Sequence, residues 1–464
     1  MSKNKVKFTI IGAGSISFAP LTIADILTNK SFSEVDIEIA LMDIDEKALR
    51  LSENYCRGCA EVLGKTAVIT ATLDLRKSLE NADFVITCFE KDRYYYWSQD
   101  FHIPRRYGFR QIYGENGGPG GMFHALRNMK PMLVIVKAME EICPGALLLN
   151  YTNPEAKLVE MVSKLSKINA VGLCHGEMGG VGQLSMFLQI PVDDLDTEAC
   201  GLNHFGWFTK VARKSTGEDL YPLLREKEKS ADLLAQWDQY GLSRIMFRTY
   251  GLWPYPGANH IGEYIAWSDE FLASTKIQYF YDPAEHNPWK SGRIPEFIYS
   301  FCENPTDREF FPKDGQKYSG DPDYTAKFEV NKDFILHHHT YDYGIRIAEA
   351  VFCDRPTHIC SLNVPNRGYI QNVPEGMAVE LPALVDGKGV HPYKMPPLPT
   401  AVTAMISQQG AIHDLLIQAF NEKSKNKLLQ AVLLDPTVSN YNNAVVMIDE
   451  MCELQKELLP ELNW

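Results

Sequence analysis

The stretch Val6-Lys7-Phe8-Thr9-Ile10-Ile11-Gly12-Ala13-Gly14-Ser15 decides how the chain is read. Residues 6–11 form a short apolar run of strand length, and the apolar-periodic residues 18–27 suit a helix. Between them lies a tight glycine turn. In such a unit the first glycine permits the turn, and the second lets a pyrophosphate approach free N–H groups at the helix start. Gly12 and Gly14 take those roles with Ser15 beside them, while the third position of the usual glycine pattern holds Ser17, so the match is partial. Asp43 strengthens it. It closes the strand at residues 35–42, 29 residues after Gly14, where a carboxylate accepts hydrogen bonds from a ribose diol and repels a 2′-phosphate. The expected cofactor is therefore NAD, against the simpler reading of two glycines and an aspartate that only form a turn and a strand end.

Outward from this unit, strands expected at residues 67–73, 84–89, 146–149 and 170–173 alternate with helical stretches, the first at residues 46–63. Alternation of this kind predicts a parallel sheet wrapped on both faces, an α/β Rossmann-like doubly wound domain over residues 1–195. After Cys200 the texture changes to aromatics, prolines and polar loops, including Trp253-Pro254-Tyr255-Pro256-Gly257. A helix is expected at residues 343–353, a strand pair at 359–364 and 368–373, and a helical segment at 401–457 interrupted near Asp435-Pro436. Residues 196–464 then read as a second, mixed α+β domain packed closely on the first.

Composition narrows the function classes. The 464 residues are 45% hydrophobic and 23% charged, and no run approaches the ~20 apolar residues of a membrane helix. A net charge of −13 repels nucleic acid and acidic membrane surfaces on average. The 10 cysteines are scattered and no apolar signal segment precedes the first strand, which together lead us to expect a cytoplasmic protein with reduced thiols. Cys56 and Cys59 have redox spacing but fall inside a helical stretch without a second pair. His337-His338-His339 reads as a polar run entering a helix, and Tyr94-Tyr95-Tyr96-Trp97 as packing or a sugar-stacking surface.

Three segments fall where a parallel sheet presents its carboxyl-end crevice: Asn150-Tyr151-Thr152-Asn153-Pro154, Cys174-His175-Gly176-Glu177 and Gly201-Leu202-Asn203-His204-Phe205-Gly206-Trp207. A thiolate and an imidazole converging there can hold a divalent metal with positions left for substrate oxygens, although a lone Cys or His is more often a packed core residue. Together with Gly118-Pro119-Gly120-Gly121 and Asn363-Val364-Pro365-Asn366, these segments resemble glycoside hydrolase family 4 over nearly the whole chain. The resemblance implies hydrolysis of α-glycosides with NAD and a divalent metal, commonly Mn2+, an exception to glycosidases that use two carboxylates. It also implies a second domain like that of lactate and malate dehydrogenases, and a homodimer or homotetramer.

In that chemistry the sugar C3 is oxidised by NAD, the C2 proton is lost to a base, the C1 oxygen leaves by elimination, water adds, and the hydride returns to C3. The resemblance assigns Cys174 and His204 to the metal, Asn153 to substrate binding and His175 to the general acid. Glu115 matches an acidic position that orients metal, water or nicotinamide, and is read here as substrate-binding. The base falls in residues 257–264, where one common form of the family has Asp and this chain has Ala258, so His260 is taken first, then Tyr255, Glu263 or Tyr264. The Cys-His-Gly sequence is most like the α-glucuronidase subgroup, and Glu90 falls where phospho-glycosidases place an arginine. A non-phosphorylated α-glycoside follows, α-glucuronide first and α-galacturonide next, then α-galactoside or α-glucoside. Arg93, Arg105, Arg106, Arg248 and Arg293 are the candidate partners for a uronate carboxylate. The competing functions are an ordinary sugar or hydroxyacid dehydrogenase and a nucleotide-sensing regulator.

Overall fold

The computed structural model describes residues 4–230, 240–268, 275–280, 296–301, 308–311, 328–337 and 343–464. Its frame is a mixed sheet of 12 strands among the described residues. The strands are β1 (Lys5–Ile11), β2 (Asp36–Met42), β3 (Ala67–Thr72), β4 (Phe84–Thr87), β5 (Leu147–Asn150), β6 (Ala170–Gly172), β7 (Leu195–Leu202), β8 (Phe205–Arg213) and β9 (Pro254–Tyr255). Three further strands, β10 (Thr275–Phe280), β11 (Glu296–Phe301) and β12 (Arg308–Phe311), make a separate antiparallel sheet, and β13 (Thr357–Pro365), β14 (Ala378–Asp386) and β15 (Gly389–Pro392) return to the first.

Along the main sheet the order is β3-β2-β1-β4-β5-β6-β13-β14-β7-β8-β9, with β15 on β14. The first six strands run parallel, and from β6 onward every pairing is antiparallel. The parallel half is apolar on both faces because both are covered; β1 is buried from Val6 to Ile11. One face holds α1 (Ala19–Thr28) and α2 (Glu46–Leu63), which starts where the Asp45 side chain accepts from the N–H groups of Lys47 and Ala48. The other face is covered by the long helix α5 (Gly118–Ile142), joined by helices Thr400–Glu422, Lys425–Leu434 and Tyr441–Leu454 in one apolar cluster that includes Met129, Leu416 and Met447. The C-terminal helices thus complete the half of the molecule built on the parallel strands.

Two expectations change. The region around residue 200, read as loops, opens with the long hairpin β7–β8, in register from Leu195↔Arg213 to Leu202↔Phe205. Residues 368–373 are not a strand: β13 pairs with β14 instead, and the chain between is a turn gathered around Asn366. The Asn366 amide donates to the carbonyls of Ile370, Val373 and Pro374 and accepts from the N–H groups of Tyr369 and Ile370, which satisfies the backbone that a strand would otherwise have paired. No described helix is long and apolar enough to cross a membrane.

Candidate active site

The glycine turn after β1 takes the tight form its sequence predicts. Gly12 turns at φ +85°, and the N–H groups of Gly12 and Ala13 both donate to the carbonyl of Met42 at 3.0 Å. A methyl group at Gly12 would lie 2.7 Å from the backbone of Phe89, so only glycine fits. Asp43 accepts from Gly14 N–H at 2.7 Å and from Asp45 N–H at 2.9 Å, and burial pushes its carboxyl up against these hydrogen bonds. Its partial exposure leaves an edge for a ligand. The Ser15 hydroxyl accepts from Phe18 N–H at 3.4 Å at the start of α1.

Phe89 links this turn to the next motif, since its N–H donates to the Thr152 hydroxyl at 3.1 Å. Asn150 holds the ends of β4 and β5 together: its side-chain oxygen accepts from the Thr87 hydroxyl at 2.8 Å and from Thr152 N–H at 3.1 Å. Asn153 follows on the cis bond to Pro154, and its carbonyl accepts from the Asn128 amide at 2.7 Å. Helix α6 (Glu155–Leu165) has no side-chain cap, so Asn153 does not serve as one.

Cys174 and His175 follow β6. The half-buried Cys174 sulfur accepts from Gly176 N–H at 3.3 Å, and His175 stands exposed just before helix α7 (Gly176–Leu188). His204 sits at the tip of the β7–β8 hairpin with φ +65°, a left-handed conformation that turns its buried ring toward the short helix α10 (Ala258–Gly262). There its ring centroid lies 4.2 Å from that of His260. Glu115 completes a cluster: one donor atom from each of Glu115, His204 and His260 lies within 4.8 Å of the others. Burial holds His204 well below its ordinary value, with the rings of His260 and His175 adding to the shift. Burial likewise lowers His260 to about 4, against the opposing charge of Glu115. Both are neutral ligands or acceptors at pH 7.

Glu115 is held from two sides. Its carboxylate pairs with Arg93, whose guanidinium lies 5.0 Å over the Trp97 ring, while its N–H donates to Glu263 at 2.6 Å. Glu263 also accepts from Asn116 N–H at 2.9 Å, and burial, with Glu115 nearby, raises it to about 8. Beside them is a small cleft lined by Glu90, Arg93, Trp97, Asp100, Glu115, His124 and Arg127. Glu90 meets His124 at 2.7 Å, and Arg127 is bonded to both oxygens of Asp100 at 2.9 and 2.6 Å.

Comparison with known proteins decides the family. Residues 7–190 match the model described as family 4 glycosyl hydrolase, and residues 199–438 match its C-terminal domain. The chain belongs to glycosyl hydrolase family 4. Within that family it is 30% identical to an α-glucosidase of Erwinia rhapontici, over 99% of both chains, and 29% identical to an α-galactosidase of Bacillus subtilis, over 98% of this chain and 99% of that one. Among solved structures it is similar to a 6-phospho-α-glucosidase from gut microorganisms in complex with NAD and Mn2+, with TM-score 0.76 at 22% identity, over 99% of this chain and 100% of the other.

Family 4 membership puts the expected residues in a structural setting. The fold brings His204 and His260 together and adds Glu115 to them. Three other base candidates are committed elsewhere. Tyr255 is fully buried and donates to Glu380 at 3.3 Å, Glu263 is taken by backbone N–H groups, and Tyr264 is buried, 3.5 Å from the carbonyl of Asn203. Of the arginines, Arg105 donates to the Gln111 carbonyl at 2.7 Å, Arg106 pairs with Glu450 and Arg248 with Glu228. Arg293 lies outside the described residues, as do His338 and His339. The Glu90–His124 pair and the Glu263 clamp were invisible in sequence, where no spacing signals a carboxylate that accepts backbone N–H groups 148 residues away. Cys56 and Cys59 are buried in α2 with their thiols pushed up by burial, as inert core cysteines are.

Proposed function

We propose that this family 4 enzyme hydrolyses a non-phosphorylated α-hexoside in a reaction that uses NAD and a divalent metal, Mn2+ first, without net oxidation. The observation that carries the reading is the close contact of Gly12 with Phe89 and the Phe89–Thr152 hydrogen bond, which put the glycine turn and the candidate sugar-binding Asn153 together at the carboxyl ends of β1, β4 and β5. The residues fit both groups. Gly12 leaves the backbone bare where a pyrophosphate approaches, and the neutral rings of His204 and His260 with Glu115 offer metal donors. The similar structure bound to NAD and Mn2+ supports the same pair of cofactors here. Residues 1–195 are read as the nucleotide domain and residues 196–464 as the remainder of the site.

NAD, when bound, supplies the hydride acceptor for C3, and the metal supplies charge stabilisation at O2 and O3. The chain does the rest. Asn153 would orient the sugar hydroxyls, His204 with Cys174 would hold the metal, and His175, exposed next to Cys174, would give a proton to the leaving C1 oxygen. His260 is the base candidate whose ring stands beside His204, and two roles meet on it: acceptance of the C2 proton and metal ligation.

For the sugar, the described arginines favour a neutral glycone over the uronide expected from the Cys-His-Gly motif. Arg93, Arg106 and Arg248 are each paired with a carboxylate, and the cleft beside Glu115 carries Glu90, Asp100 and Glu115 against Arg93 and Arg127. The relatives named α-glucosidase and α-galactosidase support the same order, and an α-galacturonidase of Thermoanaerobacter italicus at 25% identity keeps the uronide as the second reading. The test is a panel of aryl α-glucoside, α-galactoside, α-glucuronide and 6-phospho-α-glucoside with NAD, Mn2+ and a reductant, following aglycone and NADH. Aglycone release from the neutral hexosides without NADH build-up is expected. Stoichiometric NADH without aglycone would make the protein a dehydrogenase.

A further inference from the structure

We infer that Glu115 and His260 ligate the divalent ion together with His204, forming a centre of two imidazoles and one carboxylate. The inference rests on the metal-dependent reading above and specifies its ligands. Donor atoms about 2.0–2.2 Å from one ion lie at most ~4.4 Å apart, and the three donors here already lie within 4.8 Å of one another with no ion to draw them in. The hydrogen bonding agrees. His204 and His260 each carry a buried Nδ1 without a hydrogen-bond partner, an arrangement that costs free energy unless a donor or a cation meets the ring.

Glu115 is fixed for such a role. Arg93 holds its carboxylate, Glu263 holds its N–H, and its carbonyl meets His124 Nδ1 at 2.8 Å, so the side chain is set from three directions before any ligand arrives. Two imidazoles and a carboxylate on one side of an ion leave the remaining positions open, which suits a metal that must also take two neighbouring substrate oxygens. Borderline donors of this kind suit Mn2+ or Fe2+ better than a thiolate-rich set.

The test uses the whole chain with Mn2+ alone, without sugar. Free Mn2+ is titrated by its electron paramagnetic resonance signal for the wild type and for Glu115→Gln, His260→Gln and Cys174→Ser, with NAD binding measured on each as a check on folding. Loss of at least tenfold in Mn2+ affinity is expected for both Glu115→Gln and His260→Gln. Pulsed measurement of nitrogen coupling on bound Mn2+ is expected to show two imidazoles in the wild type, a readout that needs no variant, and one in His260→Gln. Wild-type affinity in both variants, or a single coupled imidazole in the wild type, overturns the inference while leaving metal dependence intact. A chain that binds no Mn2+ overturns both.

Discussion

At the scale of single residues, the site is defended by close contacts that sequence patterns only hint at. Gly206 follows Phe205 on β8, and a methyl group there would lie 2.0 Å from the Tyr255 ring, whose hydroxyl is anchored on Glu380. Gly206→Ala is expected to cost about 3 kcal/mol or more, an overpacking penalty at the upper end, seen as a fall in denaturant midpoint. The double variant with Tyr255→Ala should recover part of it. Asp43 presents a different kind of constraint. Its carboxylate sets Gly14 and, in the proposed cofactor site, would meet the ribose, so Asp43→Ala is expected to weaken NAD binding by about tenfold or more while narrowing the gap between NAD and NADP. Unchanged discrimination, read by titration with both nucleotides, would remove Asp43 from the cofactor site. The place of Asp43 beside Gly14 was legible in sequence because a strand-end carboxylate after a glycine turn has a position-specific use, whereas the close approach of Gly206 to Tyr255 is made only after folding. The clamp on Glu263 was not legible either: its importance lies in accepting N–H groups of Glu115 and Asn116, a contact made only after folding.

At the scale of elements, polar side chains replace regular pairing wherever the chain leaves the sheet. Asn366 is the clearest case, with its amide bonded to three carbonyls and two N–H groups of one turn. Asn366→Ala leaves those buried groups unpaired at about 1–3 kcal/mol each before relaxation, so a loss of stability of several kcal/mol is expected from chemical unfolding. Asn366→Asp should recover little of it, because a carboxylate cannot donate to carbonyls. Residues 368–373 were expected to pair with the strand before them, and the cage around Asn366 is why they do not. The hairpin β7–β8 is hard to read for another reason: residues 199–208 are buried throughout, so its strands show no alternation of apolar and polar positions. The βα units of the first half were easy by comparison. Helix α2, for example, spans Glu46–Leu63 as its periodicity predicts, with Asp45 at its start and Gly64 at φ +63° past its end.

At the scale of the whole molecule, buried ionisable groups set the pH response. Burial raises Glu155 well above its ordinary value, with Glu380 adding to it, and raises Glu177 to about 7 and Glu263 to about 8. Each folded-state value lies above the unfolded one, so the folded state binds more protons and stability falls as pH rises through the folded values. Burial moves His260 and His413 the other way, to about 4, and His102 to about 3. Their contribution grows as pH rises toward the unfolded value near 6.5 and is constant above it. The two sets oppose each other between roughly pH 4.5 and 6.5, and the carboxyls dominate from 6.5 to 8, where Lys157, lowered by burial to about 8, begins to act the other way. The metal-free, nucleotide-free protein is therefore expected to lose stability from pH 6.5 to 8, by up to about 1.4 kcal/mol per pH unit for each proton released, and Glu177→Gln should flatten part of the fall. A melting temperature that rises across that window would contradict it.

The same scale holds the central claim, that one sheet edge joins a nucleotide turn to a metal and sugar site so that hydrolysis proceeds by elimination. Its most direct measurement is the hydrolysis of an aryl α-hexoside in D2O with NAD and Mn2+, followed by mass and nuclear magnetic resonance analysis of the released sugar. Loss of the C2 proton to solvent during the reaction predicts one deuterium at C2 of the product. Product released at full rate with its original C2 hydrogen retained would contradict the account.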